Sequence, residues 1–237
     1  MVSRLALIIP ALDEEGAIGV VVAGFGSLRR EDGEPWLETV VVVDNGSTDR
    51  TAESARAAGA VVVREPERGY GAACLAGIAH LAEAPNGPPD VVVFADGDGS
   101  NVPEELPDLV APLLNHRADL VIGARSARPD AGSLTFPQRF GNQLATGLMN
   151  RLYGARFSDL GPYRAITWPA LHRLNMEDRN YGWTIEMQLK AVRRGLVTTE
   201  VDVGNRVRVA GRSKVAGTVR GVVGAGTKIL WSLWRYR

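Results

Sequence analysis

Apolar positions along this chain fall into short unbroken runs, not into strict alternation. Residues 5–9 are continuously apolar and are stopped by Pro10, the mark of a strand buried on both faces. Residues 39–43, 60–63, 90–95 and 119–122 have the same form, and most are closed by turn or acidic residues. Segments with helical character separate them: residues 15–28, 48–58 with Ser47 or Thr48 as its cap, 71–84 and 103–115. Beyond Arg125 comes a loop rich in Pro, Gly and Arg. A helix over 138–153 follows, then turn and strand material over 159–168, a helix over 184–194 and a strand over 197–203.

Strands alternating with helices predict an α/β fold with a mostly parallel central sheet flanked by helices. Such sheets bind ligands at the C-terminal ends of their strands. Asp13 follows the first run, Asp44 the second, and Asp96 with Asp98 the fourth. A core strand has no structural need for a carboxylate at its exit, so three such exits predict a site.

Composition adds limits. The 237 residues suit one large domain, and 45% hydrophobic with 23% charged residues is ordinary for a globular protein. Cys74 is the only cysteine, which rules out an internal disulfide and a cysteine-rich metal centre. No apolar run reaches the ~18 residues of a membrane span, and no secretory leader is recognisable, so a cytoplasmic location is expected. Formal charge sums to zero, yet the segment from Met187 onward is net +9 and the rest net −9. That asymmetry predicts an anionic partner at the C-terminal end, phosphate or an anionic membrane face, although a solvated basic surface gives the same count.

The Asp96-Gly97-Asp98-Gly99 turn carries the sharpest chemistry. Two carboxylates one residue apart at a strand exit can hold Mg2+ or Mn2+ together with a diphosphate. The same tetrapeptide also occurs in plain loops, and the ligands of a calcium-binding EF-hand do not follow it. Residues 68–73, Arg-Gly-Tyr-Gly-Ala-Ala, open a helix whose N–H groups could face phosphate. Simple helix initiation explains the same residues. A dinucleotide fingerprint is absent, because residues 10–16 after the first strand lack the glycine triad. His80, His116 and His172 are scattered without metal-ligand spacing. Trp183, one of five tryptophans, reads as core or as a sugar-stacking residue.

Three stretches carry a family resemblance: Ile8-Ile9-Pro10 running to Asp13-Glu14-Glu15, Val43-Asp44-Asn45-Gly46-Ser47-Thr48-Asp49, and Asp96-Gly97-Asp98. They resemble family 2 glycosyltransferases of GT-A fold. Gly123-Ala124-Arg125, Asp159 to Arg164 and Arg208 to Lys214 are similar to the branch that includes dolichyl-phosphate mannose synthase and bacterial polyprenyl-phosphate glycosyltransferases. The resemblance implies a single transferase domain, with residues 1–125 as a Rossmann-like nucleotide-sugar-binding half and 126–237 as an acceptor-side half. It implies Pro10, Ala11 and Glu15 at the nucleoside, Asp44 on the base, and Arg68 and Gly69 near the nucleotide. Asp96 and Asp98 would hold metal and diphosphate, and Arg208, Ser213 and Lys214 would close over the diphosphate. Arg125, Arg139 and Arg164 would serve the acceptor, Arg125 also as a catalytic group. Two departures stand out: Asp13 replaces the usual Asn, and Ser100 stands where mannose synthases commonly carry Gln.

The expected reaction is metal-dependent, inverting transfer of a hexosyl group from a nucleotide diphosphosugar to a polyprenyl phosphate. A soluble hydroxyl acceptor is the alternative. A nucleotidyltransferase would carry a basic Gly-rich loop where residues 10–15 are acidic, and a non-catalytic nucleotide-sugar-binding module would bind without turnover. No nucleic-acid partner is expected. A hydroxyl acceptor needs a base and a phosphate does not. Glu186 is the candidate base, with a helix N-terminal carboxylate as the other reading. Residues 228–237 mix aromatic and basic side chains, which suits either a peripheral contact at the inner membrane face or a helix packed on the domain.

Overall fold

The computed structural model describes residues 3–129 and 136–210, together with Trp231 and Arg235. Seven strands form one sheet. In chain order they are β1 (Leu5–Ala11), β2 (Thr39–Asp44), β3 (Val61–Arg64), β4 (Val91–Phe94), β5 (Leu120–Pro129), β6 (Arg164–Thr167) and β7 (Thr198–Asn205). Their spatial order is β3-β2-β1-β4-β6-β5-β7. Only β6 runs against its neighbours β4 and β5; every other pairing is parallel. The expected mostly parallel sheet is therefore present.

Helices α1 (Ile18–Gly26), α2 (Thr51–Ala57), α3 (Tyr70–Ala82), α4 (Leu106–Leu114), α5 (Phe136–Tyr153), α6 (Trp168–Leu174) and α7 (Trp183–Arg193) cover both faces. The apolar runs divide by parity, as a pleated strand requires. Ala6, Ile8, Val41, Val43, Val92 and Phe94 pack with residues of α3, α6 and α7. Leu5, Leu7, Ile9, Val40, Val42 and Val93 face the other way, toward α1 and α4.

Three helices start three residues later than the sequence reading placed them, each for a local reason. α1 begins at Ile18 because Glu14 first forms a turn, its carbonyl accepting from the N–H of Ala17 and Ile18 at 3.0 and 2.9 Å. α2 begins at Thr51 because Ser47 and Thr48 spend their side chains on Asp13 instead of capping it. The 103–115 segment opens as a 3-10 turn, Pro103–Glu105, before α4. α6, which follows β6 directly, was not anticipated. No helix among the described residues is long and apolar enough to cross a membrane.

Candidate functional site

Strand register brings the predicted carboxylates to one edge. Ala11 pairs with Asp44 across β1 and β2, and Ile8 pairs with Phe94 across β1 and β4. Asp96, two residues past Phe94, thus lies level with Pro10. Side chains lace the three exit loops together. Asp13 accepts at Oδ1 from the Thr48 N–H (2.7 Å) and from its hydroxyl (3.1 Å), and the Asp13 N–H donates to Ser47 Oγ (3.0 Å). Asp13 has φ +50°. Asn and Asp are the non-glycine residues that best tolerate that conformation, so the exchange of Asn for Asp keeps the turn. Asp44 is buried, and its Oδ1 accepts from the Ser47 N–H at 3.0 Å. Pro10 is half-buried, Ala11 buried and Glu15 exposed, with Glu15 accepting from the Arg50 N–H.

The metal-pair turn is fixed from several sides. Asn101 Oδ1 accepts from the Asp96 N–H (2.8 Å), Asp98 Oδ1 accepts from the Ser100 N–H (2.9 Å), and Gly99 takes φ +80°. The Tyr70 hydroxyl donates to Asp96 Oδ1 at 3.4 Å. Arg208 lies across the turn with Nη2 2.6 Å from Asp98 Oδ2 and Nη1 3.8 Å from Glu14 Oε1. Desolvation, and then the charge of Asp98, push the Asp96 carboxyl up to about 7, against the lowering pull of Arg125 and Arg208. A recess that makes a carboxylate this uncomfortable fits a hard dication, which relieves both the desolvation and the repulsion.

Other expectations meet different surroundings. For the α3 N-terminus the sequence left phosphate binding and simple helix initiation open, and its N–H groups are used within the protein. Gly71 N–H donates to the Asn180 carbonyl (3.2 Å) and Ala72 N–H to that of Arg179 (2.9 Å), while Gly69 N–H goes to Asn45 Oδ1 (2.7 Å). The two glycines admit a backbone: a Cβ on Gly71 would overlap the Asp178 carbonyl, and one on Gly69 that of Arg179. Arg68 is exposed and donates to the Gly46 carbonyl at 3.0 Å.

On the acceptor side, Arg164 is fully buried and donates to the carbonyls of Leu160 (2.9 Å), Gly161 (3.0 Å) and Thr184 (3.1 Å). Burial lowers its guanidinium to about 10, still charged at neutral pH. Its place is in the framework and not on an acceptor surface. Glu186 is likewise fully buried. Its oxygens accept from the N–H groups of Glu177 (2.9 Å) and Asp178 (2.7 Å), and Lys190 Nζ is 2.6 Å away. Both of its oxygens are thus engaged within the protein. Arg125 forks onto Asp159 at 2.8 and 2.9 Å, which offsets its desolvation and holds Asp159 below the usual carboxylate range despite burial. Arg139 is exposed on α5. Ser213 and Lys214 lie outside the described residues, as does most of 228–237; Trp231 is 39% exposed.

Glu14, Asn45, Tyr70, Asn101 and Asp159 were missed as individual site residues. All but Asn101 stand inside stretches quoted from the sequence, so the motifs were visible and the division of labour within them was not. Two cavities of about 420 and 350 Å3 are lined by residues of α3, α6, α7, the 175–177 segment and Arg235, away from the carboxylate edge.

Comparison with known proteins settles the family. The family model described as Glycosyl transferase family 2 matches residues 6–173. The chain is a family 2 glycosyltransferase. It is 36% identical over 221 residues to an uncharacterised glycosyltransferase of Mycobacterium tuberculosis, covering 92% of this chain and 93% of that one. It is also 36% identical over 214 residues to a dolichyl-phosphate hexose transferase of Haloferax volcanii, covering 89% and 86%. Among solved structures, the transferase matches glucosyl-3-phosphoglycerate synthase from M. tuberculosis in complex with Mn2+, UDP-glucose and phosphoglyceric acid. That match has TM-score 0.75 and 25% identity, over 98% of this chain and 80% of that one. The sheet and its helices are those of the GT-A glycosyltransferases, as the sequence resemblance implied.

Proposed function

We propose that this transferase moves a hexosyl group from a nucleotide diphosphosugar to a polyprenyl phosphate, with inversion at the anomeric carbon. The bond from that carbon to the diphosphate breaks as a phosphate oxygen of the acceptor forms the new one. The observation that carries the acceptor half is the state of Glu186. The acid expected to serve as base is sealed in the core with both oxygens engaged. An ionised phosphate acceptor needs no base, whereas a hydroxyl acceptor does. The dolichyl-phosphate hexose transferase aligned over most of the chain supports the same acceptor class.

Asp96 and Asp98 would hold Mg2+ or Mn2+, which when bound neutralises charge on the departing diphosphate. The protein's own part is to present the pair rigidly through Asn101 and Gly99 and to bring Arg208 beside it. Asp44 at the exit of β2 and the Pro10–Ala11 edge would border the nucleoside. Arg125 and Arg139 would face the acceptor, and the basic C-terminal segment would favour a peripheral membrane contact. The Mn2+, UDP-glucose and phosphoglyceric acid complex of the structural neighbour favours a second reading, a small soluble acceptor.

The test is nucleoside diphosphate release from a panel of nucleotide sugars with Mn2+, with and without a short-chain polyprenyl phosphate. Release stimulated by the lipid phosphate is expected. Release indifferent to it, but stimulated by a soluble hydroxy acid, would overturn the acceptor in favour of the second reading.

A further inference from the structure

Arg208 has an unusual division of its guanidinium. Nη2 is bonded to Asp98 Oδ2 at 2.6 Å, at a side chain only 9% exposed. Nη1 is buried and makes no hydrogen bond among the described residues, and its nearest acid is Glu14 Oε1 at 3.8 Å. A buried donor without an acceptor is costly unless a ligand supplies one. The segment bearing Arg208 is strapped to the metal-pair turn by backbone. Val209 N–H donates to the Asp98 carbonyl (3.0 Å) and Arg206 N–H to that of Ser100 (2.9 Å), while Val209 lies against Gly99. The guanidinium is therefore placed by its neighbours and not by chance.

We propose that Arg208 is a resident counter-ion of Asp98 that competes with the divalent metal for the same carboxylate, and that the donor's diphosphate is the anion that takes it over. The inference rests on the proposed use of Asp96 and Asp98 as metal ligands. Two cations cannot share one carboxylate oxygen at full strength, so metal alone binds against the Arg208 pair. A diphosphate offers oxygens both to Nη1, which makes no hydrogen bond among the described residues, and to Nη2 once it leaves Asp98. Metal and donor then favour one another beyond their direct contact, because each removes a cost the other would bear. The arrangement makes Arg208 a positioning residue whose partner changes with occupancy. It disfavours loading of metal without donor.

The experiment measures Mn2+ binding to the full chain by electron paramagnetic resonance of the free ion, without turnover. It compares wild type, Arg208→Gln, Arg208→Lys and Asp98→Asn, each with and without UDP or GDP. Arg208→Gln should bind Mn2+ alone about tenfold tighter, the order expected for release from one charge-assisted pair. The enhancement of Mn2+ affinity by the nucleoside diphosphate should shrink by a similar factor. Arg208→Lys keeps the charge and should stay close to wild type, and circular dichroism reports whether each variant is folded. Equal Mn2+ affinity in wild type and Arg208→Gln would overturn the proposal while leaving the metal reading intact. Binding unchanged by Asp98→Asn would instead remove the metal from this turn, and the proposal with it.

Discussion

Gly71→Ala tests the claim that the α3 glycines serve a backbone approach and not an anion. The added Cβ would overlap the Asp178 carbonyl and lie 2.8 and 2.9 Å from the carbonyl carbons of Asp178 and Arg179. Neither neighbour is a flexible side-chain tip, so the 178–180 backbone has to move. Overpacking of this kind costs about 1–3 kcal/mol. The move also stretches the Gly71–Asn180 and Ala72–Arg179 hydrogen bonds, each worth about 1 kcal/mol. Helix propensity returns roughly 0.5–1 kcal/mol. The net loss is about 2–4 kcal/mol, equivalent to a fall in Tm of about 5–15 °C for a chain of this size. Gly147→Ala is the control, because that glycine sits exposed in α5 with nothing within 4 Å of an added Cβ. It should raise Tm slightly. Thermal melts followed by circular dichroism decide the matter. A Gly71→Ala protein that melts within about a degree of wild type, or at the same Tm as Gly147→Ala, would refute the close-approach account and reopen the phosphate reading of this helix end.

Other expected outcomes concern the charged groups. Asp98→Asn should lower metal-dependent donor turnover by orders of magnitude with an unchanged circular dichroism spectrum; full turnover would exclude Asp98 from the chemistry. Glu186→Gln should cost about 2–4 kcal/mol in urea unfolding, since it weakens the Lys190 pair of a buried carboxylate. At temperatures where the variant is folded its turnover should stay within a few-fold of wild type, and a hundredfold loss would restore the catalytic-base reading. Asp159→Asn addresses pH. Against the desolvation of burial, Arg125 holds the folded Asp159 carboxyl below the ordinary carboxylate range, so its contribution is complete above the unfolded pKa, about 4, and is lost as pH falls through the lower folded value. The stability gap between wild type and Asp159→Asn should therefore be constant from about pH 5 to 8 and narrow toward pH 3. A gap that widened on acidification would contradict the assigned pairing with Arg125.

The sheet was legible in the sequence because its central strands β1, β2 and β4 are buried on both faces and so appear as unbroken apolar runs. The carboxylate edge was legible for the complementary reason: acids at three strand exits have no packing purpose. Helix starts were misplaced where a side chain that suits a cap had a better partner across the chain, as with Ser47 and Thr48 on Asp13. α6 escaped notice because seven residues with a proline near the start carry too short a period to register. The role of the α3 glycines stayed open in the sequence because phosphate approach and backbone approach demand the same thing, the lack of a Cβ. Which one applies depends on residues 178–180, more than a hundred positions away.

Charge type and motif position could not separate Arg125, Arg164 and Arg208, all of which the resemblance assigned to ligands. Hydrogen-bond satisfaction does separate them. Arg164 is closed off by backbone carbonyls on every side that the structure describes, and a residue so completely engaged has nothing to offer a substrate without dismantling the 160–161 turn. Arg125 is an intermediate case, since a bidentate fork to Asp159 neutralises it while leaving its charge within electrostatic range of Asp96. Arg208 alone of the three combines a carboxylate that a metal would claim with a buried donor for which the described protein supplies no acceptor. An unmet donor beside a carboxylate is costly unless a ligand supplies its acceptor, and that cost is why the proposal above rests on Arg208 and not on Arg125 or Arg164.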